Sequence, residues 1–410
     1  MKFRALLMAL PLLLRAGDDW PQWRGPTRDG QVAGAAWPDD LKPDHLDVAW
    51  RHELGPGYSG PVVVSDRVFT VETRNKAMEV VRAFDRGTGR ELWTREWEGA
   101  MSVPFFARSN GDWIRATPAH AGGVLYVAGM RDVLVALDAA TGVIRWRKDF
   151  VADLKSPLPA FGFVSSPLVD GDAVYVQAGG GVVRLDKASG GVVWRALESS
   201  DGMMGSAFSS PVIASPAGRR QLVVQTRTEL AGLDLGTGGV LWRQPIEAFR
   251  GMNILTPVVV ENRILTSAYG GRTHAFDLVA AADGTLRLLS AWEFKAQGYM
   301  STPVVVGGHA YMHLRNQRAL CLDLATGTEQ WTTGEGFGKY WSLVANEDRI
   351  LALDQRGDLL LIHAMPQRFE VMDRRRVTSE EAWAHVAVAG GQIFVRDLGA
   401  LTVWNWRSAR

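Results

Sequence analysis

Short apolar runs of three to six residues recur along nearly the whole chain, each closed by Gly, Asp or Asn, and none keeps a helical period. Alternation such as Val174-Tyr-Val176 after Asp170-Gly-Asp172 predicts short strands joined by tight turns. One string returns at fixed spacing. Asp85 to Trp93, Asp138 to Trp146, Asp186 to Trp194, Asp234 to Trp242 and Asp323 to Trp331 each place Trp eight residues after Asp, with glycine at the fourth step. A sixth copy, Asp277 to Trp292, carries a seven-residue insertion around Asp283-Gly284. Upstream of each copy a hydroxyl residue stands beside proline: Ser59-Gly-Pro61, Thr117-Pro118, Ser166-Pro167, Ser210-Pro211, Thr256-Pro257 and Thr302-Pro303. Proline is tolerated where it opens a strand, because no ladder hydrogen bond is owed there. The Asp closes a turn on its own backbone, and the glycine supplies the positive φ that a tight hairpin needs.

Four strands per unit, repeated every 40 to 50 residues, predict one propeller blade per unit. Six blades are explicit. A seventh, degenerate unit runs from Trp341 to Val371, and an eighth starts near Trp383 and ends without its fourth strand. Val48-Ala-Trp50 resembles a fourth strand lacking a blade, and pairing it with the last unit would remove the open sheet edge. The expected fold is therefore all-β, an eight-bladed β-propeller of four-stranded blades closed by an N-terminal strand, with seven blades as the alternative. Trp50, Trp93, Trp146, Trp194, Trp242, Trp292 and Trp331 are assigned to structure, as wedges between blades.

Composition narrows the function. The 410 residues carry 45 basic and 44 acidic side chains, a net charge of +1, so no global field holds nucleic acid or an anionic membrane. A single cysteine, Cys321, excludes an intrachain disulfide, a thiolate zinc cluster and haem attachment through paired cysteines. Lys2 and Arg4 precede the ten-residue apolar run Ala5 to Leu14, half of the roughly 20 residues that span a bilayer. Residues 1–17 read as a secretory signal cut after Ala16 or Gly17, residues 18–46 as a leader or cap, and 47–410 as one propeller domain.

The template Ala-x-Asp-x-x-Thr-Gly-x-x-x-Trp resembles the tryptophan-docking repeat of the PQQ-like propeller family, from about Trp50 to Trp406. The leader Trp20-Pro-Gln-Trp-Arg-Gly-Pro-Thr-Arg-Asp-Gly30 is also similar to the opening of many exported bacterial propellers of that family. The resemblance implies one of two functions. Quinoprotein dehydrogenases oxidise alcohols or sugars with pyrroloquinoline quinone and calcium, whereas BamB-type scaffolds of the outer-membrane barrel assembly machinery bind partner proteins without chemistry. Such dehydrogenases commonly place two adjacent cysteines over the quinone and are longer, and this chain offers one cysteine and few residues outside blades. The expectation is an exported scaffold without cofactor, periplasmic or secreted from a Gram-negative-type bacterium and monomeric. Its expected partner is a protein or peptide, including outer-membrane proteins, or a small ligand. BamB-type proteins are typically lipoproteins with a cysteine directly after the signal; Cys321 lies in the sixth unit, so no lipid anchor is expected. A carbohydrate-binding propeller is a further alternative.

Loops from a fourth strand to the next first strand share a face with the turns between second and third strands. The loops place Trp113, Phe163, Tyr299, Tyr340, Trp341 and Trp383 there, beside Tyr58, Phe105, Phe106, Phe161, Met203, Met204, Phe208, Met252 and Met300. The turns add Arg74, Arg131, Arg227, Arg272, Arg315 and Arg356, with Arg396 in the last unit. Aromatics beside guanidinium groups suit an extended peptide or a planar anion. Trp20, Trp23 and Arg24 are read either as a cap over the ring or as a packed leader. Other chemistry is weak: on one strand His309 and His313 stand roughly 13 Å apart, and Gly334-Glu-Gly336-Phe-Gly338 lacks a strand-then-helix context.

Overall fold

The computed structural model describes residues 18–201, 203, 205 and 207–407, so the predicted signal and Met204 lie outside the described residues. Eight four-stranded antiparallel sheets form the ring. Seven are contiguous in sequence, spanning 62–98, 119–149, 168–196, 212–245, 258–294, 304–332 and 341–376. The eighth is composite: Ala387–Ala389, Gln392–Arg396 and Ala400–Trp406 are completed by Leu46–Glu53, which pairs antiparallel from Leu46↔Trp406 to Glu53↔Ala400. The N-terminal strand thus closes the ring, and the seven-blade alternative falls.

Burial follows position within a blade. Ala173–Ala178, the second strand of blade three, is buried at every residue because neighbouring blades cover both of its faces, so its sequence is apolar except for Gln177, whose amide donates to Ser209 O at 2.8 Å. Outer strands such as Glu91–Glu98 alternate with solvent and carry charge.

The repeat template joins each blade to the next. Asp186 Oδ1 accepts hydrogen bonds from Ser189 N at 2.8 Å and Ser189 Oγ at 2.6 Å, closing the hairpin that sets Gly190 at φ +70°. On that glycine lies Trp146 of the preceding blade, 2.7 Å from where a Cβ would stand, with its indole nitrogen donating to Lys187 O at 3.1 Å. Trp50, Trp93, Trp194 and Trp292 repeat the arrangement on Gly89, Gly142, Gly238 and Gly327. Trp331 donates forward to Met365 O. Trp242 departs from the series: the insertion in the next blade removes the docking glycine, and its indole donates to Gln221 Oε1 in its own sheet.

The leader does not cap the ring; it enters the channel. Trp20 bridges to Val63 in blade one and Pro21 O accepts from His120 N in blade two. Arg28 donates to Ser166 O and Pro167 O in blade three, and Arg24 to Thr302 O and Pro303 O in blade six. Val32 N donates to Ala345 O in blade seven. Both guanidinium groups are buried, which lowers Arg24 to about 10 and Arg28 to about 9, still protonated at neutral pH.

Candidate functional site

On the side of the fourth-to-first-strand loops the channel opens as a cavity of about 810 Å³. Its floor is the leader's Trp23, with Arg24 and Arg28 at 5.7 and 5.5 Å from the indole ring and His385 edge-on at 5.9 Å.

Above the floor the wall is built by the hydroxyl–proline signature. Gly60 N donates to Thr117 Oγ1, Thr117 N to Ser166 Oγ, Ser166 N to Ser210 Oγ, Ser210 N to Thr256 Oγ1 and Thr256 N to Thr302 Oγ1, at 2.9 to 3.3 Å. Each hydroxyl therefore satisfies a buried backbone donor of the preceding blade. The belt reverses between blades six and seven, where Trp341 N donates to Ser301 Oγ, and stays reversed between seven and eight, where Val386 N donates to Ser342 Oγ.

The mouth is aromatic and cationic. Phe106, Phe161, Phe208, Phe249, Tyr299, Tyr340 and Trp383 line it, joined by Tyr58 and six apolar positions including Met203 and Met252. Neighbouring rings touch: Phe161 is 5.3 Å from Phe208, Tyr58 is 5.7 Å from Trp383, and Tyr340 stacks on Trp383 at 6.1 Å. Arg227, 3% exposed, lies over Phe208 at 4.4 Å and donates to Met203 O and Arg250 O; burial lowers it to about 10. Arg115 faces Tyr58 at 5.9 Å and donates to Gly111 O at 2.7 Å. Burial also pushes Tyr58 up to about 12, keeping its phenol protonated. Among the described residues no aspartate, glutamate or cysteine lines the cavity.

Of the sequence-predicted residues, Arg227, Tyr299, Tyr340 and Trp383 meet at this cavity, and Trp113 supports it by packing edge-on against Tyr58 at 5.5 Å. Phe163 and Trp341 are corrections. Phe163 is 2% exposed against Phe150, and Trp341 is 3% exposed with its indole nitrogen on Asp354 Oδ2 at 2.8 Å, because strand alternation turns it between blades. Arg227 apart, the arginines of the second-to-third-strand turns are not among the residues that line this cavity. Arg74 pairs with Glu96, Arg272 approaches Glu293 at 3.9 Å, Arg356 donates to Phe337 O, and Arg131 is exposed. Arg315 lies over Tyr269 at 4.3 Å and lines a neighbouring recess on the rim. Arg396 is buried and donates to Gly55 O between blades eight and one. Sequence reasoning missed Arg115, Arg250 and His385; Arg115 lay within reach, two residues before Thr117-Pro118.

His385 offers a pH test. Its Nδ1 lies 2.9 Å from Val386 O, so the neutral ring donates there; burial, with Arg24 beside it, lowers the imidazole to about 3. A histidine held neutral in the fold but protonated when unfolded stabilises fully above about 6.5, and that contribution is lost as pH falls toward about 3. His385→Asn should therefore lose less stability than the parent between pH 7 and pH 4.5, read as melting midpoints. A gap between the two proteins that stays constant with pH would contradict this.

The quinone and calcium of the dehydrogenase branch can be tested against this donor set. Calcium takes six to eight oxygen ligands led by carboxylates, and the lining has none. Among the described residues no group of three His, Cys, Asp or Glu side chains could hold a metal ion. The cavity does not fit that pair.

Comparison with known proteins agrees with the architecture. The chain is 23% identical over 328 residues to the outer membrane protein assembly factor BamB of Moranella endobia (strain PCIT), covering 76% of this chain and 78% of that one. The crystal structure of BamB from Moraxella catarrhalis superposes with a TM-score of 0.64 at 18% identity, covering 89% of this chain and 99% of that chain. The quinohemoprotein alcohol dehydrogenase of Comamonas testosteroni superposes at 0.66 with 13% identity, covering 96% and 81%, a likeness of fold alone. The family model described as outer membrane protein assembly factor BamB matches residues 77–333. More than half of the chain is matched, and the protein belongs to the BamB family of PQQ-like repeat propellers.

Proposed function

We propose that this chain is an exported, monomeric, non-catalytic scaffold that holds a protein partner on its aromatic mouth and serves outer-membrane protein assembly from the periplasm. One observation carries the reading: the cavity at the channel mouth combines stacked aromatics and guanidinium groups with no carboxylate, thiol or metal-binding cluster among the described residues of its lining. The imidazole in that lining, His385, is buried with its Nδ1 2.9 Å from Val386 O, and no carboxylate of the described lining stands beside it or beside the wall hydroxyls to work with them as acid and base. Burial of aromatic and arginine side chains is what dominates protein interfaces. Relatives named for outer-membrane protein assembly support the cellular setting. Adding pyrroloquinoline quinone with calcium to the purified protein should give no stoichiometric binding and no dye reduction with alcohols or sugars. Tight binding accompanied by turnover would overturn the reading in favour of a dehydrogenase.

A further inference from the structure

At the other end of the channel a second recess, of about 390 Å³, lies between the leader and the first strands of blades three, four and five. Leu168–Asp170, Val212–Ala214 and Val258–Val260 form its wall, and Gln22 with residues 26–29 of the leader faces them. Asp170, Ser215 and Arg220 stand where first strands turn into second strands, so this opening lies away from the aromatic mouth. The two cavities share no lining residue among those described.

The wall is an open strand edge. In an antiparallel pair alternate residues turn their N–H and C=O away from the partner strand, so the middle residue of each three-residue first strand turns both into the channel. In blade one that residue is Val63, and the leader pairs with it: Val63 N donates to Trp20 O at 2.9 Å and Trp20 N to Val63 O at 2.7 Å. Ala345 holds the corresponding place in blade seven, donating to Gly30 O and accepting from Val32 N, both at 2.8 Å. Val169, Ile213 and Val259 are the equivalents in blades three to five. Their backbone N–H and C=O groups have no hydrogen-bond partner among the described residues. Burial follows the same division: Val63 and Ala345 are fully buried, whereas Val169, Ile213 and Val259 stay partly exposed.

We propose that this recess takes an extended segment of a partner polypeptide, added as a strand to the inner edges of blades three to five. The channel already holds extended chain in both directions, antiparallel at Trp20↔Val63 and parallel at Gln31↔Ala345, so either orientation is open to the occupant. Unpaired strand edges are templates for such addition. Arg220 donates to both oxygens of Asp170 at 2.6 and 3.0 Å, so this pair offers no free charge to an ion. Recognition is by main-chain pairing, which asks for an extended backbone with its N–H groups intact. The assignment does not depend on the reading of the mouth.

The test uses the full mature protein and an amino-terminally labelled, carboxyl-amidated peptide of alternating threonine and valine, with a second copy N-methylated at every internal residue. Fluorescence anisotropy should show the first binding at least about ten-fold more tightly, a gap of about 1.4 kcal/mol. Amide exchange of the segments carrying Val169, Ile213 and Val259 should slow when it binds. In Ile213→Pro the lost N–H is the one facing the channel, so the ladder to Leu222 keeps its hydrogen bonds. Ser215→Trp crowds the opening from an exposed position. Each variant should weaken binding by at least about three-fold, the worth of a single hydrogen bond. Equal binding of the two peptides would overturn strand addition. If Phe106→Glu/Phe249→Glu abolishes binding and the two recess variants do not, the peptide sits in the mouth and the assignment fails. A dimer in solution that Ser215→Trp dissociates would make a second copy of this chain the occupant, against the proposal. Absence of binding by the unmethylated peptide would overturn it outright.

Discussion

Replacing Arg24 with methionine should lower the unfolding free energy by about 2–4 kcal/mol, a large effect for one residue near a chain terminus. Its guanidinium is fully buried and donates to four carbonyls, those of Arg28, Asp29, Thr302 and Pro303, two of them 278 and 279 residues away. Two effects oppose each other. Methionine relieves the desolvation that lowers Arg24 to about 10, and replacing buried charges by apolar groups is sometimes neutral. Here, however, the partners are backbone carbonyls of the channel wall that remain buried when the arginine goes, and each unmet buried acceptor costs about 1–3 kcal/mol. The loss should win. Denaturant unfolding of the parent and variant measures it, and a difference below about 0.5 kcal/mol would show that the leader only rests in the channel.

A chain beginning at Leu54 should fail to unfold as one cooperative unit. Removing Leu46–Glu53 strips the outer strand from blade eight and exposes the edge Ala400–Trp406, a template for pairing with other chains. It also removes Trp50, whose indole covers Gly89 and donates to Arg86 O at 2.8 Å. Deleting a core tryptophan side chain alone costs about 3–5 kcal/mol, a large share of the roughly 5–15 kcal/mol by which folded domains are stable. A chain beginning at Leu46 keeps the strand and lacks the leader; it should remain monomeric and cooperative but melt lower than the parent. Size-exclusion chromatography and calorimetry of the two truncations separate closure from plugging. A monomeric, cooperatively melting chain from Leu54 would refute closure by the N-terminal strand.

Much of the ring was legible because its signals are local. Asp186, Ser189 and Gly190 build their turn within five residues, so the template and its count survive in one sequence, and the orphan Val48-Ala-Trp50 needed only a partner. What stayed hidden depends on contacts across blades. The hydroxyl before each proline was visible as a pattern, but its role required the N–H of a different blade, 44 to 57 residues away. Trp341 and Trp383 both stand near the start of a blade. Strand alternation buries Trp341 between blades, whereas Trp383 stands in the loop before its strand and reaches the mouth. The leader has no periodicity to place it, so nothing in Trp20 to Gly30 distinguished a lid over the ring from a plug within it. The turn arginines share a topological position with Arg227, yet carboxylates such as Glu96 and Glu293 on the outer strands draw Arg74 and Arg272 outward.

The most direct measurement is the outer-membrane protein content of cells from which the gene has been deleted, restored with either the parent chain or Phe106→Glu/Phe249→Glu. Both substituted side chains are half exposed, so the variant should fold and melt as the parent does. Carboxylates placed on the rim convert an apolar, cationic mouth into one that repels an acidic or apolar partner. The account predicts that the parent restores outer-membrane protein levels and that the variant, present at equal amount in the periplasm, leaves them as low as in the deletion. Full restoration by the variant would contradict the assignment of function to the mouth.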